Sequence, residues 1–159
     1  MYQNVFQTAW VTNDLARAAD VFREQHGVNN IGIYRDFALS VFDQPDLVID
    51  VALFYVGDLQ FEVIEPVSGP DDLYRRYLPA EQGFLLKHHH FGNVVDNREK
   101  YDALLADFRS RGVPIDVDGS FGDSGRFFYA DTRDSVDHYQ EFVLLDAATE
   151  EFLQSIPRN

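Results

Sequence analysis

Hydrophobic and polar positions divide the chain into two stretches with the same order of elements. Residues 4–12 (NVFQTAWVT) are rich in β-branched and aromatic residues and end at Asn13-Asp14, a helix-start signal. Leu15, Ala18, Ala19 and Phe22 then recur at helical spacing and the pattern closes on Gly27, which predicts a helix over 14–27. Residues 30–37 form a strand pattern, and 38–46 show no clear period. Two apolar runs, 47–56 and 59–66, separated by Gly57-Asp58, predict a hairpin. Turn chemistry and a short helix follow over 68–78. The pattern then begins again. A strand is expected over 90–96, a helix over 97–112 capped by Asn97 and stopped by Gly112, and strands over 113–117, 125–132 and 138–145. A last helix, 148–156, has Phe152 and Ile156 on one side. The order is β-α-β-β-β, twice.

A repeat at this scale invites a search for equivalent polar positions. Gln7 lies seven residues before Asp14, and His90 lies seven before Asn97. From the first strand of each module to its fourth, Gln7 to Glu62 spans 55 residues and His90 to Glu141 spans 51. His90, Glu62 and Glu141 are strong metal ligands by type, and the amide oxygen of Gln7 can serve as a fourth. His90 belongs to the run His88-His89-His90. Strand alternation places His88 and His90 on one face and turns His89 to the other, the helix-covered side.

Composition narrows the chemistry. The 159 residues, 45% of them hydrophobic, suffice for one domain or two small modules sharing a core. Fourteen Phe suggest a rigid core with an aromatic-lined cavity. A net charge of −14 argues against nucleic acid or an anionic membrane as partner. The lack of Cys removes disulfides, thiolate nucleophiles and Cys-type zinc sites. No run approaches the length of a membrane span and the start lacks signal-peptide order, so a cytoplasmic protein is expected.

Four segments resemble the vicinal oxygen chelate superfamily, which includes glyoxalase I and methylmalonyl-CoA epimerase: QTAWVTNDLARAADVF, LQFEVIEP, HHFGNVVDN and HYQEFVLLD. The resemblance covers about residues 4–145. It implies an α+β fold of one domain over 1–159, in which two βαβββ modules form curved mixed sheets around a metal. The modules are expected at about 4–66 and 87–145, with a linker helix at about 68–82 and a C-terminal helix at about 147–156. By position it makes Gln7, Glu62, His90 and Glu141 the ligands of one divalent ion per chain. It also implies a homodimer, which would cover sheet edges and apolar faces.

One imidazole and three oxygen donors suit Zn, Ni, Co, Mn or Fe(II). Such an ion chelating a carbonyl stabilises an enolate formed by loss of the neighbouring proton. The resemblance to the epimerase branch implies a third-strand carboxylate as acid/base, which here is Asp50, expected to be buried with a raised pKa. The resemblance to the glyoxalase branch instead implies a metal-ligand Glu, Glu141 or Glu62, as the base. Arg126, Tyr129 and Arg133 are candidates to meet an anionic substrate group or to pair with the acidic chain. The function expected is a metal-dependent lyase or isomerase/epimerase acting beside a chelated carbonyl or thioester of a small molecule. The alternative is a non-catalytic protein that binds an antibiotic or aromatic ligand on the same fold.

Overall fold

Asp14 and Asn97 begin the two long helices in the same way, each side chain accepting the backbone amide three residues on at 2.9 Å. Between and after these caps, the computed structural model describes residues 4–80, 83–122 and 124–159. Its elements are β1 Val5–Thr12, α1 Leu15–His26, β2 Gly32–Val41, β3 Leu47–Val56, β4 Leu59–Ser68, α2 Asp72–Arg75, β5 Leu86–Val94, α3 Arg98–Ser110, β6 Ile115–Phe121, β7 Gly125–Ala130, α4 Arg133–Val136, β8 Tyr139–Leu144 and α5 Ala147–Ser155. The β-α-β-β-β order therefore occurs twice, as α1 with β1–β4 and α3 with β5–β8.

The apolar stripe of α1 (Leu15, Ala18, Phe22) packs on Ala52, Phe54 and Val63. The stripe of α3 (Tyr101, Leu105, Phe108) packs on Phe128, Ala130 and Phe142. Each helix thus covers the outer face of its own module. Phe128 is fully buried, so truncating it to Ala should cost about 3–5 kcal/mol. Glu65 accepts the amide of Leu15 at 2.9 Å and helps to start α1.

The strands close into one barrel in the order β1-β4-β3-β2-β6-β7-β8-β5. The modules meet at two seams. Antiparallel β1 and β5 form the first, and β4 and β8 flank this pair in parallel. The second is short, pairing Ser40 with Ser120 and Val41 with Gly119. A Cβ on Gly119 would lie 2.4 Å from the Ser40 carbonyl oxygen, so only glycine allows β2 and β6 to approach here. A third core fills the barrel interior, with Leu47, Ile49, Val51, Leu53 and Ile64 facing Phe127, Tyr129 and Val143.

Two expectations change. Strand β2 runs on to Val41 because a bulge between Tyr34 and Phe37, with Asp36 at φ 51°, breaks the period that marks a regular strand. The linker helix shrinks to the single turn Asp72–Arg75, with Gly69-Pro70 before it and Pro79 after it; Glu81 and Gln82 lie outside the described residues. Among the described residues, no helix is long and apolar enough to cross a membrane.

Candidate active site

The β1–β5 seam sets the site. Gln7 pairs with Gly92 across it, and Ala9 pairs with His90. Ala9 also lies beside Glu62 in β4, and Gly92 beside Glu141 in β8. Two residues beyond each of Gln7 and His90, a small residue therefore meets a glutamate. The two modules present their polar residues in the same register, and all four side chains converge inside the barrel. His90 Nε2 lies 3.3 Å from Gln7 Oε1, 3.4 Å from Glu62 Oε2 and 3.3 Å from Glu141 Oε2. The His90 side chain is wholly buried, while those of Glu62 and Glu141 keep 14% and 11% exposure toward a cavity.

Buried partners orient two of these groups. Gln7 donates through Nε2 to Gln60 Oε1 at 2.7 Å, and Gln60 donates to the Tyr55 hydroxyl at 3.1 Å, which turns the Gln7 oxygen toward His90. The Leu73 carbonyl can only accept, so His89 Nε2, 3.2 Å away, is the donor. Burial, reinforced by the positive His90, holds the His89 pKa well below its ordinary value, so this ring is neutral and its Nδ1 is an acceptor. His90 Nδ1 then donates to it at 2.8 Å and leaves Nε2 aimed at the oxygens.

Burial alone would drive the His90 pKa down, yet Glu141 and Glu62 outweigh it and raise the value to about 9. Burial, with the charge of Glu141 adding to it, raises the carboxyl of Glu62 even though His90 opposes the shift. Tyr129 stands edge-on to His90 at 5.0 Å, and its hydroxyl lies 3.4 Å from that of Tyr74. Burial raises both phenol pKa values, keeping the two hydroxyls protonated.

The three histidines do not alternate as expected. A bulge opposite Ala9 and Trp10 skips His89 in the pairing, so His89 and His90 both turn inward. His88 faces out instead, 3.2 Å from Thr8 Oγ1 and packed against Trp10, Phe91 and His138. Burial, followed by the charges of His90 and His138, lowers its pKa to about 4.

Asp50 also departs from expectation. Inward positions of β3 are Ile49, Val51 and Leu53, which line the cavity, and Asp50 points to the other face. There it pairs with Arg35 and accepts the Asp36 amide at 2.9 Å. Burial favours its neutral form, but the Asp36 amide and Arg35 prevail and lower its pKa. The raised pKa expected of a third-strand base is therefore absent, and the structure does not bring Asp50 to the site. Arg126 and Arg133 also stay away from the cavity, engaged with Asp118 and Asp131 respectively.

The residues present fit a cation. Donors on an ion with bonds of about 2.1 Å sit ~3.0–3.4 Å apart for angles of ~90–109°, the range of the His90 separations. A Cβ on Gly92 would fall 2.6 Å from Gln7 Oε1 and 3.2 Å from Glu141 Oε2, so this glycine leaves the space in which the two oxygens meet. Among the described residues, no group of three or more His, Cys, Asp or Glu side chains is placed to hold a metal ion as the side chains stand. Three of the four candidate donors are of those types, and the fourth is an amide, so side-chain rotation would have to complete the set.

Sequence patterning missed Gln60 and the wall formed by α5. Gln60 was within reach, since it sits two residues before Glu62 on the same face of β4.

No family model and no curated protein sequence matches the chain. Solved structures do. The methylmalonyl-CoA epimerase of Streptomyces coelicolor, in complex with 2-nitronate-propionyl-CoA, is 18% identical with a TM-score of 0.58, covering 92% of this chain and 100% of that one. The methylmalonyl-CoA epimerase of Mycobacterium tuberculosis is 14% identical with a TM-score of 0.60, covering 94% and 93%. A hypothetical protein of Bacillus halodurans is 13% identical with a TM-score of 0.58, covering 90% and 94%. At these identities the likeness establishes the fold alone, and activity has to be argued from the site.

Proposed function

We propose that the chain is a divalent-metal-dependent enzyme of lyase or isomerase/epimerase type that moves a proton on carbon next to a carbonyl or thioester. The convergence of Gln7, Glu62 and Glu141 on His90 Nε2 at 3.3–3.4 Å, at one end of a cavity, carries this reading. Gln7, Glu62, His90 and Glu141 would hold the ion. When bound, it would polarise the substrate carbonyl and favour loss of the adjacent proton.

The chain's own residues supply the remaining steps. Glu141 is the preferred base and Glu62 the second carboxylate. Strands β4 and β8 flank the β1–β5 pair, so the two carboxylates reach the same point from opposite sides. A proton taken by one and returned by the other inverts the carbon; a proton returned by the same residue retains configuration or shifts its position. Tyr74 and Tyr129, protonated at neutral pH, are available as donors to a substrate oxygen. The apolar β3 face, with no inward carboxylate, favours a second reading, a protein that binds its ligand without turnover.

The test begins with metal analysis of protein purified without chelators or a nickel column. About one divalent ion per chain is expected, and the double variant His90→Ala/Glu141→Ala should lose it, with a lower melting temperature by linkage. Equal metal content in wild type and double variant would sink the assignment. Exchange of substrate α-protons in deuterated water, over a panel of α-hydroxy ketones, hemithioacetals and 2-methyl-branched acyl-CoA thioesters, then separates catalysis from binding alone.

A further inference from the structure

The cavity above the polar cluster measures about 300 Å³, roughly the volume of ten liquid waters. Its walls are aromatic and aliphatic. Phe121 stacks on Phe127 with centroids 6.0 Å apart, and Phe152 stacks on Phe37 at 6.3 Å. Helix α5 closes one side with Ala148, Thr149, Phe152 and Leu153, and Phe152 also packs edge-on to Tyr34 at 5.1 Å. No lysine or arginine is among the described residues that line it, and its charged lining residues are Glu62 and Glu141. Arg126, the arginine nearest in sequence to the lining residue Phe127, lies over the Phe42 ring at 4.3 Å and bonds the Gly119 carbonyl and Asp118. The whole chain carries a net charge of −14.

An anionic group in the part of this space away from the polar cluster would exchange hydration for aromatic and aliphatic walls, with no lysine or arginine among the described lining residues to receive it. A neutral apolar molecule exchanges water for matched walls. We infer that the substrate of this site has an uncharged, largely aromatic or aliphatic body that fills the apolar part of the cavity, with its oxygens at the end that meets Gln7, Glu62, His90 and Glu141. An acyl-CoA thioester, whose charged nucleotide part would have to stay outside this cavity of about 300 Å³, matches these walls less well than a neutral molecule that fits within them. The inference deepens the proposed function and rests on the same cavity being the substrate site.

Prodan, an uncharged naphthyl ketone, and propionyl-CoA test it on protein stripped of metal with EDTA, so the outcome does not depend on the metal assignment. Prodan emission should shift to the blue and increase in a saturable, one-to-one manner, while calorimetry detects no propionyl-CoA binding in the same concentration range. Val143→Trp, which fills the cavity, should weaken prodan binding by about tenfold or more. Should that variant fail to fold, Phe152→Ser on α5 is expected to weaken binding severalfold while the circular dichroism spectrum is unchanged. Propionyl-CoA binding tighter than prodan, or prodan binding unaffected by Phe152→Ser, overturns the substrate class. Metal content is read separately, so loss of the metal assignment with prodan binding intact would sink the enzymatic reading alone.

Discussion

The two modules hold equivalent side chains in place by different chemistry. In the N-terminal module Gln7 is fixed by an amide chain through Gln60 to Tyr55, whereas His90 in the C-terminal module is fixed by an imidazole chain through His89 to the Leu73 carbonyl. The backbone register around them matches, since Ala9 beside Glu62 corresponds to Gly92 beside Glu141. The cavity-facing third strands differ, with Ile49, Val51 and Leu53 on β3 against Phe127 and Tyr129 on β7. A repeated backbone thus preserves where side chains point, while each module reaches a buried, satisfied polar group in its own way.

The largest expected effect tests whether the equivalent glutamates are also equivalent in chemistry. Glu141→Gln and Glu62→Gln each keep size and hydrogen bonding but remove the proton acceptor. Substrate α-proton exchange in Glu141→Gln should fall by about 100-fold or more. If Glu62 returns the proton, Glu62→Gln should instead convert epimerisation into exchange with retention, which chiral chromatography of the recovered substrate detects. Equal, small losses in both variants would remove the glutamates from the chemistry.

A smaller effect separates Gly92 from its counterpart Ala9. The Cβ that Gly92→Ala adds would meet Gln7 Oε1 at 2.6 Å and Gln7 Cβ at 3.0 Å, so the fold should survive by turning the Gln7 side chain away at the expense of its bond to Gln60. Metal affinity, read by competition with a chelating dye, should drop about 10–100-fold, as for other losses of ligand orientation. Ala9→Gly creates no such contact and should leave affinity within a few fold, with some loss of strand stability. Equal effects at both positions would show that the space at Gly92 has no special role.

These contrasts also show why the sequence yields only part of the site. Gln7, Glu62, His90 and Glu141 stand out because a polar residue recurs at matched distances in apolar strands, and the structure brings all four together. The fates of His88 and His89 depend on a bulge set by the pairing of β5 with Ala9 and Trp10, a cross-strand feature that no spacing within β5 reveals. Asp50 attracts attention as a lone charge in an apolar strand, but both faces of β3 are covered, one by the barrel interior and the other by α1, so polarity alone does not reveal which way it points. Phe152 reads as core on a helical stripe and is core-like; only the course of the chain after β8 brings it across the barrel to Tyr34 and Phe37.

The smallest effect is expected at Asp50, where the third strand departs most from the epimerase pattern. Asp50→Asn should leave metal content and α-proton exchange within about twofold of wild type, since the side chain lies on the face away from the cavity. Its consequence should be confined to stability. The Asp50 side chain is 15% exposed, but its partner Arg35 is 52% exposed, so solvent screens the pair and its loss should cost no more than ~1 kcal/mol at neutral pH. The sign follows from the lowered folded pKa of Asp50. This contribution is present above the unfolded carboxyl pKa of about 3.9 and is lost as pH falls through the lower folded value. Urea melts of wild type and Asp50→Asn should therefore differ near pH 7 and converge below about pH 4. A difference that widens in acid would contradict the Arg35 pairing. A large loss of proton exchange with stability intact would return Asp50 to the catalytic groups.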